Sequence, residues 1–506
     1  MKTSEILDKL LKVPPHEPER RPRFPGPITA AYLEEIFENC FDFELRQVEI
    51  GGGLRASLCF MDGLVSGDAV SLTVLDPLTN GFRFGGCLTE REAAERMMAG
   101  AAYGNTVKYR TEADDAAADL LNGFCAVVFD GLRAAVTFEV RTSQGRAVSE
   151  PREEKSIKGA RESFVEVLKT NTMMVRRHLR DPALKMETVT VGRRTATSVA
   201  IVWIEGLTGG GLTAELRRRV ERIDIDGLLT AADLEEYVAD SPLSPFPQLV
   251  QTERPDRFCL NLLEGRAGLL IDGLPLGFLA PGTFAQFFKV TEDRANHFIV
   301  ASLLTLIRYL SVAVTLFLPA VFVAVAMYHQ EMLPAKLMES MIDAKQSVPF
   351  PTAVEVMAML ASFELLQEAG MRLPNQLGQA VSIIGALIVG QSAVEASIVS
   401  PIAVIIVAFA GIAGYTMPDQ DMAGALRLLR FLLLLAAVFA GMFGIAVGGA
   451  LITYHLCSLE SFGVPYMTPL AGRFGGRGLW KLLRPPLRWD KGREPALGPE
   501  DRRSRR

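Results

Sequence analysis

Cysteine is scarce and scattered. Six occur in 506 residues (Cys40, Cys59, Cys87, Cys125, Cys259 and Cys457), with no CxxC pair. That excludes a disulfide framework and a thiolate zinc knuckle, and leaves reduced, buried thiols as the reading. The five histidines are equally dispersed and give no metal-ligand spacing. Residues 1–13 are charged and amphipathic and lack the apolar core of a secretory signal. Catalytic signatures are missing as well. Gly51–Gly53 and Gly209–Gly211 stand outside any phosphate-loop context, and there is no G-x-S-x-G elbow. The expectation is a protein that is not an enzyme and holds no metal or cofactor.

What is present is an uneven distribution of charge. Hydrophobic residues make up 49% of the chain, charged residues 22%, and the net charge is −5. Up to about residue 298 charges are dense, and beyond it long uncharged runs begin. The last 35 residues, 472–506, carry a net +7, so the rest of the chain stands at −12. Such an acidic body excludes nucleic acid as a partner. The basic tail suits an anionic membrane leaflet or a solvated terminus.

The charged part contains a repeat. Four apolar runs end in an acid followed by Gly-Leu, at Asp62, Asp130, Glu205 and Asp272. Asp62 and Asp130 are 68 apart, Glu205 and Asp272 67 apart, and the two pairs are offset by 143 and 142 residues. Each run reads as a buried strand ending in a turn, with 124–129 and 132–140, and 268–271 and 274–279, as hairpins. Asp-Gly supplies the positive φ of such turns and outweighs a reading as paired catalytic carboxylates. Helices are expected over 29–40, 89–101, 163–180, 213–222 and 231–239. The fold class is therefore an α+β soluble N-terminal region of two tandem similar α/β subdomains, followed by an all-α multi-span membrane domain. The boundaries are an extension at 1–27, subdomains at 28–150 and 160–285, a transmembrane helical domain at 295–470, and a basic tail at 471–506. The basic run Arg176, Arg177, His178 and Arg180, with Arg193 and Arg194, is either a contact surface for subunits or lipid head groups, or a solvated face.

In the apolar part, 309–328, 373–394, 396–418 and 431–459 carry no charge for twenty, twenty-two, twenty-three and twenty-nine residues. A span needs about 20. The second run, broken by Pro374, Gln379, Gly385, Gly390 and Gln391, reads as re-entrant. An even number of spans returns the tail to the side of the soluble region, although Arg427 and Arg430 then lie on the wrong side. The segment from Pro351 to Arg372 puts Glu364, Gln367 and Glu368 on one side of a helix, with Glu355 about 180° from Glu364. Ionisable residues in a membrane helix face a bundle interior or an aqueous path. Glu364, Gln367 and Glu368 are thus candidates to line a pore, Glu364 first because Arg372 can pair with Glu368, and Gln391 and Glu395 form the alternative. Gly385, Gly390, Gly411 and Gly414 are candidates for close helix packing.

A longer set of segments carries a resemblance. These are Glu162-Ser-Phe-Val-Glu-Val-Leu-Lys-Thr-Asn171-Thr, Thr190-Val-Gly-Arg-Arg194, Val199-Ala-Ile-Val-Trp-Ile-Glu-Gly206, Ser244-Pro-Phe-Pro-Gln-Leu-Val-Gln-Thr-Glu-Arg-Pro-Asp256 and Glu264-Gly-Arg266. Val348-Pro-Phe-Pro351, Glu368-Ala-Gly-Met-Arg-Leu-Pro374, Gly378-Gln-Ala-Val-Ser, Leu426-Arg-Leu-Leu-Arg-Phe431 and Ser461-Phe-Gly-Val-Pro-Tyr466 complete them. Over about 30–470 the chain resembles the GerA family of spore germination proteins, the A subunits of nutrient germinant receptors. The resemblance implies a multi-pass protein of the spore inner membrane, with its N-terminal domain in the cytoplasm (the spore core). It implies a homo-oligomer, a pentamer, acting as a ligand-gated channel for monovalent cations. It also implies a transporter-like B subunit and a lipoprotein C subunit as partners. A branch of the family encoded in the stage V sporulation operon shares this architecture and assists germination without being the primary sensor. The readings to separate are channel subunit, non-conducting scaffold, and secondary transporter, the last weakened by the lack of a repeat in the membrane half.

Overall fold

The computed structural model describes residues 24–50, 53–79, 84, 89–102, 106–141, 151, 154, 158–372, 390–470, 482–486 and 492–503. The chain divides into two compact units, residues 1–146 with 179–185, and residues 147–178 with 186–506.

In the first unit, α1 (Ala30–Ile36) is followed by β1 (Phe43–Ile50), β2 (Leu54–Met61), a helical stretch from Gly67 to Thr79, α2 (Glu90–Met98), β3 (Val107–Arg110), α3 (Ala113–Leu121), β4 (Phe124–Phe129) and β5 (Ala134–Glu139). The strands form one sheet in the order β1-β2-β4-β5-β3, all pairs antiparallel. Apolar runs such as Phe124–Phe129 are buried at every position because helices and loops cover both faces. Leu58, Phe60, Val127, Phe129, Val136 and Phe138 lie in the core with Val74 and Met97.

The second unit repeats the plan. It runs through α4 (Leu168–His178), β6 (Leu184–Val191, whose first two residues group with the first unit), β7 (Thr197–Ile204), α5 (Gly210–Glu221), α6 (Ala231–Val238), β8 (Val250–Thr252), α7 (Pro255–Leu262), β9 (Ala267–Ile271) and β10 (Gly277–Ala280). The sheet order is β6-β7-β9-β10-β8, the same permutation as in the first sheet. Asp62 and Glu205 follow β2 and β7, and Asp130 and Asp272 follow β4 and β9, so each acid occupies the same topological place in both copies.

The acids do more than turn the chain. Asp130 Oδ1 accepts the Ala30 N–H at 2.8 Å, and Asp272 Oδ1 accepts the Leu168 N–H at 3.0 Å. In each copy the acid of the hairpin turn thus satisfies a free amide at the start of that copy's first helix. The turns at 62, 205 and 272 place glycine at φ of 89°, 70° and 88°, as expected. At Asp130 the left-handed residue is Arg133, φ 53°, rather than Gly131. Gly131 is instead required by crowding, since a Cβ there would meet the Glu90 carboxylate at 2.6 Å, and Glu90 Oε2 accepts the Leu132 N–H.

After the short helix α8 (Thr291–Ala295) the second unit continues into α9 (Phe298–Tyr328), α10 (Ala335–Gln346), α11 (Thr352–Arg372), α12 (Pro401–Gly414) and α13 (Gln420–Ser458). Two of these, α9 and α13, are long and apolar enough to cross a membrane. α13 is not one rod. Gly441 has φ 57° and ψ −138° inside it, and the chain doubles back there. Beyond the break Gly448 faces Leu433, and a Cβ on Gly444 would run into the Ala436 carbonyl. The arms 420–440 and 442–458 are therefore an antiparallel pair with a reversal that only glycine adopts without strain. The uncharged run at 431–459, expected as a single span, is in fact parts of both arms. The first arm begins before that run does, because Arg427 and Arg430 sit inside it.

Chain beyond the bundle returns to the second module. β11 (Glu460–Ser461) pairs with β12 (Val464–Pro465). Residues 492–503 lie on the module as well: Glu500 N–H donates to Leu207 O at 3.0 Å, Arg493 Nε donates to Leu263 O at 2.8 Å, and Leu497 is buried. This part of the basic tail is thus packed on protein rather than free. Of the basic run, Arg176 is buried. Arg193 pairs with Asp224 at 2.6 Å, and Arg177 lies 3.7 Å from Glu162. Cys40, Cys59, Cys125 and Cys259 are buried thiols outside any disulfide, Cys457 is exposed, and Cys87 lies outside the described residues.

Candidate functional site

Two places in the second unit gather polar chemistry where a soluble protein or a membrane bundle would otherwise be apolar. The first is inside the helical part. α11 packs on α9, α12 and the first arm of α13 through Ala353, Val356, Leu360, Val323, Ala403, Val407 and Leu434. Its first turn meets the start of α12, where the Ser400 N–H donates to Glu355 Oε1, and its middle meets the far part of α12, where Gly411 lies under the Phe363 ring. α11 and α12 therefore run in the same direction. Glu355 is 2% exposed and acts as a cap for α12 supplied from another helix, while its Oε2 has no hydrogen-bond partner among the described residues.

Glu364, the first candidate to line a pore, is engaged within its own chain. Arg430 Nη2 donates to Glu364 Oε1, and Arg427 Nη1 lies 3.7 Å from Oε2. The Arg430 side chain is 2% exposed and its Nε has no acceptor among the described residues. One carboxylate against two guanidinium groups leaves this cluster with a formal net positive charge. On the same helix Gln367 is half-buried and Glu368 is exposed. Gln391 and Glu395 are exposed and joined by a hydrogen bond of 2.9 Å.

The glycine candidates divide. A Cβ on Gly411 would sit 2.5 Å from the Phe363 ring, on Gly414 3.5 Å from a Thr315 methyl, and on Gly390 3.7 Å from Val404. Only the first position has no room for a methyl group. Gly385 lies outside the described residues.

The second place is the joint between the α/β module and the hairpin, to which no sequence pattern assigns a role. The Ser244-Pro-Phe-Pro-Gln248 loop holds the base of both arms. Ser244 Oγ lies 2.9 Å from His455 Nε2, the Phe246 ring packs on His455, Tyr466 Oη donates to Pro247 O, and Ser461 Oγ donates to Gln248 O. Opposite, Gln251 Nε2 donates to Asp421 Oδ2 at 3.0 Å, and Asp419 Oδ1 caps the first arm by accepting the Met422 N–H. A cavity of about 460 Å³ lies between this loop and the first turns of the arm, with Glu235, Glu236 and Asp421 in its wall. Burial pushes the Glu235 carboxyl up to about 7 against the hydrogen bond from Gln251, with Asp421 and Asp419 adding repulsion. Burial likewise raises Asp419 to about 6. The signal that marks this place is the run of prolines and polar residues at 244–256, which resembles the family but whose partner, 455–466, lies some two hundred residues further on.

Asn171 also acquires a role. It is buried, its Oδ1 accepts the Val165 N–H at 2.8 Å, and its Nδ2 donates to Val165 O at 2.6 Å, so it clamps the approach to α4.

Duplicated α/β modules fused to a helical part with a hairpin returning to its base define a two-part architecture. The chain belongs to the Bacillus/Clostridium GerA spore germination protein family, whose model matches residues 31–495. That match runs beyond residue 470, where the resembling segments end, and reaches the start of the docked segment 492–503. Among its relatives are the uncharacterized membrane protein YfkQ of Bacillus subtilis (strain 168), 37% identical over 87% of this chain and 85% of that one. Spore germination protein KA of the same organism is 36% identical over 91% of this chain and 84% of its own length. Spore germination protein GerLA of Bacillus cereus is 33% identical over 91% and 93%. The crystal structure of the N-terminal domain of the A subunit of the Bacillus megaterium spore germinant receptor GerK3 is 27% identical, with a TM-score of 0.42, covering 52% of this chain and 99% of that one.

Proposed function

We propose that this chain is the A subunit of a nutrient germinant receptor and works as an oligomeric, ligand-gated channel for monovalent cations in the spore inner membrane. In this reading the helical part crosses the membrane several times. Homo-oligomers, taken as pentamers, associate with a transporter-like B subunit and a lipoprotein C subunit, and the α/β modules lie in the spore core. The observation that carries the proposal is the joint: both arms of an apolar hairpin are gripped at their bases by one α/β module, so a movement of that module is delivered to the bundle. Residues 492–503 pack on the same module, which fits an even number of crossings. In this reading Glu368, Gln391 and Glu395, which are exposed, face a shared axis with Gln367, and Glu364 is set behind them; the exposure of the first three and the arginine pair of Glu364 support that assignment.

Cation flux through the purified protein in liposomes tests this directly. Flux that is lost on Glu368→Gln or Glu395→Gln, at unchanged assembly, is the expected outcome. One observation favours a second reading, a non-conducting scaffold that couples a sensor to another channel: Glu364 is already paired by Arg430 and Arg427 within the chain. The absence of flux in a fully assembled oligomer would decide for the scaffold.

A further inference from the structure

We propose that α10 is a membrane-surface helix, seated in the head-group boundary of the leaflet opposite the second α/β module, with lipid as its partner. The proposal rests on the membrane-crossing reading of α9 and α13 and adds a site that this reading does not require.

Its placement comes first. The Tyr328 ring at the end of α9 packs on Gly441 at the hairpin reversal, and Tyr328 Oη donates to Val438 O at 2.5 Å. Val323 of α9 and Ala353 and Val356 of α11 share one apolar cluster. The end of α9, the hairpin tip and the start of α11 therefore lie at one level, remote from the joint at Ser244 and His455. α10 links the end of α9 to the start of α11. A helix of 12 residues, about 18 Å long, that joins two points at one level lies across the bundle axis rather than along it.

The sequence of α10 fits that position. At about 100° per residue, Gln346, Glu339, Asp343, Lys336 and Ser340 fall within an arc of about 120°, and Ala344, Leu337, Met341, Met338 and Ile342 fill the opposite arc. Lys345 is the one charge on the apolar arc, and its Nζ donates to Thr352 Oγ1 on α11. The helix buries none of its residues within the chain, and Leu337 and Ile342 are 46% and 49% exposed. The arc continues through exposed Met332 and Phe350 to the exposed leucines, isoleucines and phenylalanines on the outside of α9, α12 and α13. A split of this kind beside an apolar belt suits acyl chains below and water above. A second copy of the chain would cover the face equally well by area, and the experiment separates the two.

Full-length protein, with Trp203, Trp480 and Trp489 replaced by Phe, would carry single tryptophans by Leu337→Trp, Ile342→Trp, Glu339→Trp or Asp343→Trp. Leu310→Trp on the outer face of α9 serves as control. Each variant is reconstituted in phosphatidylcholine vesicles containing lipid brominated either near the head group or near the chain end. Expected is strong quenching at 337 and 342 by the shallow bromine, at least about twofold greater than at 339 and 343, and quenching at 310 by the deep bromine. Quenching at 310 with none at 337 and 342 overturns the proposal and leaves the membrane reading standing, because protein then covers the face. Equal quenching on both arcs also overturns it. No quenching at 310 overturns the membrane reading and this proposal together.

Discussion

Arg430 is among the largest fully buried side chains of the protein, and Glu364 is what makes its burial tolerable. Removing one partner of a buried pair strands the other charge, at a cost of about 3–5 kcal/mol, whereas replacing both with apolar groups is near neutral. Glu364→Gln should therefore lower the melting temperature of the detergent-purified protein sharply, and Glu364→Met with Arg430→Met should restore most of it. A double variant no more stable than the single would show the pair to be incidental. Gly411→Ala, pressed against the Phe363 ring, should cost about 1–3 kcal/mol, and Phe363→Leu in the same chain should relieve it in the same melting assay. In the first module, burial would raise the Asp119 carboxyl, but bonds from Arg110, Thr137 and Lys108 hold it below the usual 3.8. Its contribution to stability is thus complete at neutral pH and is lost as the pH falls through and below 3.8. Asp119→Asn should flatten the acid limb of a pH-dependent denaturation curve.

Among the elements, strands and their turns are the most legible in the sequence, because β-branched and aromatic runs ending in acid-Gly-Leu announce buried strands four times over. The second duty of the acids is not legible there. Asp130 and Asp272 reach helix starts about one hundred residues away, and local pattern carries no trace of such a partner. The long apolar helices escape at their edges for a related reason. A charge-free window marks the limits of a helix only if charges stay outside it, and Glu364 lets Arg427 and Arg430 lie inside. Gly441 is one glycine among several in an apolar run, and only its backbone distinguishes it. Leu433→Cys with Gly448→Cys, in a chain with Cys457→Ser, should crosslink under mild oxidation; adding Gly441→Ala should abolish the crosslink, since alanine resists φ 57° and its Cβ would meet the Tyr328 ring at 3.1 Å. The joint should respond to pH. With Glu235 near 7 and Asp419 near 6, against 4.5 and 3.8 unperturbed, their contribution is full below pH 4 and is lost as the pH rises through 6 to 7. Hydrogen exchange at α6 and the start of α13, corrected for intrinsic rates, should rise over that interval, and Glu235→Gln should remove most of the rise.

At the scale of the whole molecule, the same sheet permutation occurs twice, and among the described residues the second copy is elaborated by the C-terminal chain. Its surface receives β11 and β12 at the end of the hairpin, Arg484 bonded to the carbonyls of Arg294 and Asn296, and the segment 492–503. The repeat offset foretells the duplication. The asymmetry is not visible in the sequence, because the segments that create it are short and carry no periodic apolar pattern, and 492–503 sits in a stretch that reads as a solvated tail. Ending the chain at Pro486 removes Leu497 from its buried seat, worth about 1.5–3 kcal/mol, and the bonds to Leu207 and Leu263. The truncated protein should melt several degrees lower while still forming the hairpin crosslink.

The one-residue reversal at Gly441 has a consequence for how the protein is made. Between the arms there is no loop to carry across a bilayer, and neither Lys nor Arg lies near the tip to declare a preferred side. In the membrane-crossing reading proposed above, neither arm could be threaded first and held while the other is synthesised, so the pair would partition into lipid as one unit. On that reading its orientation would be set from the base by the module, while Arg427 and Arg430 lie within the first arm, against Glu364.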